Sequence, residues 1–163
     1  MATSFPEGII VTGPATFTGP TYLPPGVVSD AQVAGNAATA TGKQLHKHRK
    51  TYGQSGTVVT ATIPIHVVIG TTALLVAIKV GMITLCAGAA TVTVDLKKNG
   101  TSILAAVITL NSGNTARVCV SGTISNTAAA AGDFFELVVT ATAGGGTVGT
   151  GLLVELEVDE APV

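Results

Sequence analysis

A two-residue alternation of apolar and polar side chains is the feature that most constrains the fold of this chain. Residues 154–159 alternate valine or leucine with acids, and residues 92–96 alternate valine or leucine with threonine or aspartate. Successive side chains of a strand point to opposite faces, so this period predicts half-buried strands. Asn99-Gly100 follows the second segment and predicts a tight hairpin, because both turn residues must take a positive φ.

The same pattern of strand and turn extends from Thr51 to the end of the sequence. Seven or eight apolar or alternating segments are separated by gaps rich in turn residues, at positions 87–90, 111–114, 126–132 and 144–151. Many short strands at this spacing favour an all-β fold. Residues 51–163 are therefore predicted to form a two-sheet antiparallel sandwich of jelly-roll-like or immunoglobulin-like topology.

Residues 1–50 differ in composition and are predicted to form an extended N-terminal arm. Five of the seven prolines fall within residues 1–28. Proline lacks an amide donor and fixes φ, which excludes a helix interior or a central strand there. Ser29 or Asp30 can cap a short helical turn, and a basic connector follows up to residue 50. Phe5, Phe17 and Tyr22 are spaced through the arm, and we expect them to anchor it on a partner protein.

The chain carries few charges, and they are separated along the sequence. Charged residues make up 10% of the 163 residues, against roughly 25% in an average soluble domain. We therefore expect much of the surface to be buried against copies of itself or another protein. Six of the nine acids lie in the last 31 residues, whereas four of the eight basic residues form one cluster. We expect this basic cluster to contact an acidic partner surface; its members are Lys43, Lys47, Arg49 and Lys50.

No combination of residues predicts an enzyme. No serine stands in a Gly-x-Ser-x-Gly motif, and the three histidines have no evident acidic partner. Residues 144–149 match a dinucleotide-binding pattern by letters, but a strand follows them where such a site requires a helix. His46 and His48 have no nearby Cys, Asp or Glu, so neither a metal nor a cofactor is predicted. The basic cluster lacks interleaved aromatic residues, so no nucleic-acid partner is predicted.

Two cysteines and one uncharged stretch bear on the cellular setting. Cys86 and Cys119 each fall in an apolar run, so both are predicted to be buried and inert, with a single bridge as the alternative. Residues 51–78 carry no charge, but glycines and Pro64 interrupt them, and no membrane span is predicted. The first residues lack the basic region of a signal peptide, so we expect synthesis in the cytoplasm.

Three stretches carry a resemblance to a known class of proteins. They are residues 25–32 (PGVVSDAQ), the basic connector that leads to Tyr52-Gly-Gln, and residues 91–104 (TVTVDLKKNGTSIL). They resemble β-rich virion proteins of tailed bacteriophages, in particular the capsid decoration (cement) proteins.

The resemblance implies a homotrimeric, jelly-roll-like knob on the outer surface of an icosahedral head, where it clamps neighbouring subunits of the major capsid protein. The expected function is that of a non-enzymatic virion structural protein, made in the host cytoplasm. Its expected partners are itself and the major capsid protein. Tail-fibre and receptor-binding modules share the β-sandwich appearance and are the alternative.

Overall fold

The computed structural model describes residues 46–161, and all regular structure in this range is β-strand. The described residues contain no helix of the length and apolarity that a membrane crossing requires. Ten strands follow one another: β1 (His46–Thr57), β2 (Ala61–Val67), β3 (Thr72–Thr84), β4 (Thr91–Lys98), β5 (Thr101–Ser102), β6 (Ile108–Leu110), β7 (Val120–Gly122), β8 (Ala128–Ala130), β9 (Phe134–Thr142) and β10 (Thr150–Glu160).

The strands form two antiparallel sheets that pack against each other, so the prediction of an all-β two-sheet sandwich is confirmed. The first sheet has the order β1-β10-β3-β7, and β8 also pairs with β3. The second has the order β2-β9-β4-β5, and β6 also pairs with β4. Within the described residues the chain crosses between the sheets six times, from β1 to β2, β2 to β3, β3 to β4, β6 to β7, β8 to β9 and β9 to β10, which brings distant segments together.

The core lies between the two sheets and follows from the alternation in the sequence. Inward-facing residues of β4 and β10 have no accessible surface, and Phe135 of β9 lies among them. Apolar side chains on both inner faces leave water together, which is the main favourable contribution to folding. The fully buried residues of these two strands are Val92, Val94, Leu96, Val154, Leu156 and Val158.

The predicted hairpin is confirmed between β4 and β5. Asn99 and Gly100 take φ values of 51° and 81°, and the flanking Lys98 and Thr101 pair directly. The Asn99 side chain also accepts a hydrogen bond from the amide of Phe134 at 2.9 Å. The turn residue therefore closes the hairpin and ties it to the neighbouring strand β9.

Three segments differ from the sequence-based prediction. β1 begins at His46, so residues 46–50 belong to the first sheet and not to a connector. β8 occupies part of a predicted turn-rich gap, because its alanines pair with β3. The segment that follows the predicted hairpin turn, residues 102–110, is mainly apolar in sequence but is divided, since β5 ends at Ser102 and β6 begins at Ile108. Residues 1–45, with the remaining arm and the short helical turn, lie outside the described residues.

β1 and β2 are edge strands of their respective sheets, and they contact each other. Pro64 lies in β2, where an edge position tolerates the missing amide donor. The register of β2 against β9 shifts between Pro64 and His66. This irregularity lies where the two edges face each other, and it helps to leave the sandwich open on that side.

The two cysteines have different environments. Cys86 is buried, as predicted, but Cys119 is exposed, so its predicted burial is wrong. Both thiols are free, and the alternative of a bridge between them does not occur. Cys119 immediately precedes β7 and lies beside Gly81, whose missing side chain leaves the sulfur uncovered on the outer face of the first sheet.

Candidate functional site

The predicted contact residues divide into two groups. Phe5, Phe17, Tyr22 and Lys43 lie outside the described residues. Lys47, Arg49 and Lys50 all lie in β1, and strand alternation sends them to opposite faces of the first sheet. The basic cluster is therefore not one continuous surface.

Lys47 and Arg49 face outward and pair with acids of β10. Lys47 Nζ lies 2.5 Å from Glu157 Oε1, and Arg49 Nε lies 3.5 Å from Glu157 Oε2. The side chains of Asp159 and Glu155 are within 3.8 and 3.9 Å of the same two cations. The hydrogen bond between Lys47 and Glu157 raises the pKa of the lysine and lowers that of the glutamate. The basic and acidic ends of the sequence thus neutralise each other within one sheet.

His48 and Lys50 face the opposite way, toward the second sheet. Their cross-strand neighbours in β10 are the core residues Val158 and Leu156, so they occupy inward-facing positions of an edge strand. Between β1 and β2 they open into a cleft of about 500 Å³, which we call the edge cleft. It is lined by His46, His48, Lys50, Ile65, His66, Val67, Ile69, Gly70, Glu160 and Ala161.

Glu160 is the one acid among the residues that line the edge cleft, and it is 5% exposed. Its Oε1 accepts hydrogen bonds from the amides of Ile69, at 2.6 Å, and Gly70. Burial by itself would raise the pKa of this carboxyl. The two amides and the nearby imidazoles of His66 and His48 outweigh burial, so the pKa is lowered and Glu160 is held as a carboxylate.

Two imidazoles face the other oxygen of Glu160. His66 Nε2 lies 3.2 Å and His48 Nε2 lies 3.5 Å from Glu160 Oε2. His66 is 6% exposed, and its Nε2 is buried without an aligned hydrogen-bond partner among the described residues. Burial, followed by the charge of Lys50, lowers the pKa of His66, although Glu160 acts in the opposite direction.

The imidazoles form a row that continues into the core. The ring centroids of His46 and His48 are 6.5 Å apart, and those of His48 and His66 are 5.7 Å apart. His66 stacks in turn on Phe135, with the centroids 6.3 Å apart. The described residues contain no group of three or more His, Cys, Asp or Glu side chains with the geometry of a metal site.

Lys50 differs from the other cations of β1. It lines the edge cleft, and no hydrogen bond or ion pair joins it to another residue within 46–161. The positive charge of Lys50 is therefore matched by no acid in the described part of the chain. The site combines an unmatched cation, three imidazoles and an apolar wall formed by Ile65, Val67 and Ile69.

The sequence identified one side of this site and missed the other. His46-x-His48 and Lys50 were visible as a local pattern, but Glu160 lies 110 residues after Lys50 in sequence and reaches the site because it pairs with His46 across β1 and β10. His66 enters from β2 in the other sheet. The concentration of acids near the C-terminus was the only local signal for Glu160, and it did not distinguish this acid from its exposed neighbours.

A second surface feature lies on the outer face of the first sheet. Ile83, Leu153 and Cys119 line a shallow hollow of about 210 Å³ above Gly81 and Gly151. Both Ile83 and Leu153 are exposed. This surface is largely apolar, and Arg117 is the one charged residue of its lining.

Comparisons with known proteins assign no function to this chain. The chain matches no protein-family model, and neither a curated protein nor a solved structure gives a significant match.

Proposed function

We propose that this chain is a non-enzymatic virion structural protein that decorates an icosahedral bacteriophage head and stabilises it by bridging major capsid subunits. In this proposal the sandwich has a jelly-roll-like topology, three copies assemble into a knob, and residues 1–50 form an extended arm that grips the shell. The resemblance of residues 25–32 and 91–104 to decoration proteins motivates the assignment.

The observation that supports it best is the apolar surface of the sandwich. Ten large apolar side chains are exposed among the described residues, including Ile69 at 77% and Leu153 at 45%. Only 10% of the chain is charged. A freely diffusing monomer needs more surface charge to remain soluble, and exposed apolar surface of this kind favours association.

Decoration has a simple thermodynamic basis. A protein that binds only the closed shell stabilises it by an amount that grows with the logarithm of its free concentration above Kd, in the same way that a ligand stabilises a folded state. Each contact can be weak, because many identical copies act on one lattice. An inert sandwich with several contact surfaces is sufficient for this role.

The proposal is tested by adding purified protein to undecorated phage heads and measuring the bound copy number after sedimentation. Saturation at a number set by the head lattice, together with heads that withstand higher temperature, supports the proposal. A few copies per particle, located at the tail, would favour the fibre or receptor-binding alternative. Light scattering of the free protein should give a trimer; a stable monomer at micromolar concentration would contradict the assembly.

The arm is tested separately by deleting residues 1–28. If the arm grips the shell, the truncated protein keeps its oligomeric state and loses head binding. Dissociation into monomers would instead mean that the arm holds the protomers together. Full decoration by the truncated protein would assign the contact to the sandwich, and Phe5, Phe17 and Tyr22 would not be anchors.

A further inference from the structure

The edge cleft has a composition that selects one kind of ligand. We propose that it binds an extended acidic segment of a partner protein, in which a carboxylate meets Lys50 and neighbouring apolar side chains pack on Ile65, Val67 and Ile69. His46, His48 and His66 line the same cleft, so their rings report on its occupation. The inference extends the proposed function by specifying the chemistry of the contacted surface, but it also holds for any other partner.

The unmatched charge of Lys50 indicates an anionic ligand. Lys47 and Arg49, on the other face of β1, are already paired with Glu157 and its neighbours. Glu160 does not form an ion pair with Lys50, because its two oxygens face two amides and two imidazoles. An incoming carboxylate would therefore supply the missing partner of the one free cation among the described β1 side chains.

The imidazoles of His66 and His48 lie against a carboxylate of this chain. His66 Nε2 is buried and lies 3.2 Å from Glu160 Oε2, although the two are not aligned for a hydrogen bond. His48 Nε2 lies 3.5 Å from the same oxygen. Lys50 is therefore the charged group of the cleft that is left for a ligand.

The apolar wall favours a protein acid over a nucleic acid. Ile65, Val67 and Ile69 offer van der Waals contacts to aliphatic side chains, and no Phe, Tyr or Trp lines the cleft. Nucleic-acid affinity also depends on several Lys or Arg contacts to phosphates, and one lysine lines the cleft. The volume of about 500 Å³ accommodates a few side chains.

The two edge strands that flank the cleft, β1 and β2, favour an extended ligand. Within residues 46–161, β1 and β2 each have a strand neighbour on one side only, so no described strand pairs with their backbone groups along the opening. A peptide that runs along such an edge can add main-chain hydrogen bonds to its side-chain contacts. Its side chains then alternate, which fits an acidic residue toward Lys50 and apolar residues toward the wall.

The test uses an acetylated, amidated peptide of alternating valine and glutamate, and a matched peptide with glutamine in place of glutamate. Binding is followed by the imidazole carbon-bound proton signals of His46, His48 and His66 and by calorimetry. We expect the acidic peptide to bind and to shift all three signals, and the glutamine peptide to bind about tenfold more weakly. Lys50→Gln should cause a similar loss, whereas Lys79→Gln, on the exposed outer face of β3, should cause none.

The groups that face the ligand are His46, His48 and Lys50 from β1, His66 from β2 and Glu160 from β10. Equal binding of both peptides, or an unchanged affinity in Lys50→Gln, would overturn the proposal. Tighter binding of a short single-stranded oligonucleotide than of the acidic peptide would overturn it as well.

The peptide measurement is independent of any phage particle. Peptide binding without head binding would refute the decoration role and leave the cleft assignment intact. Head binding that is unaffected by Lys50→Gln, together with no peptide binding, would refute the cleft assignment and leave the decoration role intact.

Discussion

Glu160 provides the sharpest test of how the edge cleft is built. One oxygen of its carboxylate accepts hydrogen bonds from the amides of Ile69 and Gly70, and the other oxygen faces His66 and His48. Glu160→Ala removes the acceptor altogether. Glu160→Gln keeps an oxygen for the two amides but removes the charge.

The expected magnitudes follow from these contacts. A buried donor left without a partner costs about 1–3 kcal/mol. Glu160→Ala leaves two such donors, and the open cleft admits some water to them. We therefore expect a loss of about 2–4 kcal/mol in the free energy of unfolding. Glu160→Gln retains both bonds in a neutral form. Charge-assisted bonds are roughly twice as strong as neutral ones, so we expect a loss of about 1 kcal/mol.

Urea unfolding followed by far-ultraviolet circular dichroism is the appropriate assay, because the chain contains no tryptophan. Protein concentration must be held constant, since self-association would contribute to the apparent stability. Glu155→Ala is the matched control: it lies in the same strand but is partly exposed, and we expect a change within about 0.5 kcal/mol. Equal losses for the alanine and glutamine variants would show that the two amides do not depend on this side chain.

The pH dependence gives an independent check. The pKa of Glu160 is lowered in the folded protein, so its contribution to stability is complete above the ordinary carboxyl pKa and is lost as the pH falls through the lowered value. The pKa of His66 is also lowered, so the unfolded chain binds its proton more readily and stability declines as the pH falls below the ordinary histidine value. Glu160→Gln should abolish the part of this decline in stability that occurs at the lower pH, where the carboxyl of Glu160 takes up its proton. A decline identical to that of the wild type would refute the assignment.

Three further predictions concern other parts of the described sandwich. Gly70→Ala should destabilise by at least about 2 kcal/mol in urea unfolding, because a Cβ there would overlap the carbonyl oxygen of Ala161, whereas Gly56→Ala has open space and should be neutral. Cys119 should react with a thiol reagent in the folded protein and Cys86 only after unfolding; equal rates would contradict their different burial. Lys47→Ala should leave the unfolding midpoint nearly unchanged at high salt, because its ion pairs are exposed and screened.

Features with a local physical cause could be predicted from the sequence. The Asn99-Gly100 turn depends on two adjacent residues that accept a positive φ, and β9 was delimited by its apolar run. β8 was missed because three alanines have little strand preference of their own. Their pairing with β3 exists only in the folded sandwich.

The edge cleft was beyond local prediction for the same reason. Its members come from β1, β2, β10 and the loop between β2 and β3, and no sequence spacing relates them. The His-x-His pair and Lys50 were noted in the sequence, but the acid of the cleft, Glu160, lies 110 residues after Lys50. Cys119 was predicted to be buried because its apolar neighbours suggest a strand, yet it precedes β7 beside a glycine that does not cover it.

The charge pattern of β1 also explains how this edge strand finds its register. β1 has one neighbour, β10, and few apolar residues, so the hydrophobic pattern specifies its alignment only weakly. A slip of one residue would turn Lys47 and Arg49 toward the second sheet and remove their pairs with Glu157. It would also carry Lys50 out of the cleft and onto the outer face. The separation of bases and acids along the sequence thus helps to fix the pairing of β1 with β10, and Lys50 is the lysine of β1 that takes no part in these ion pairs.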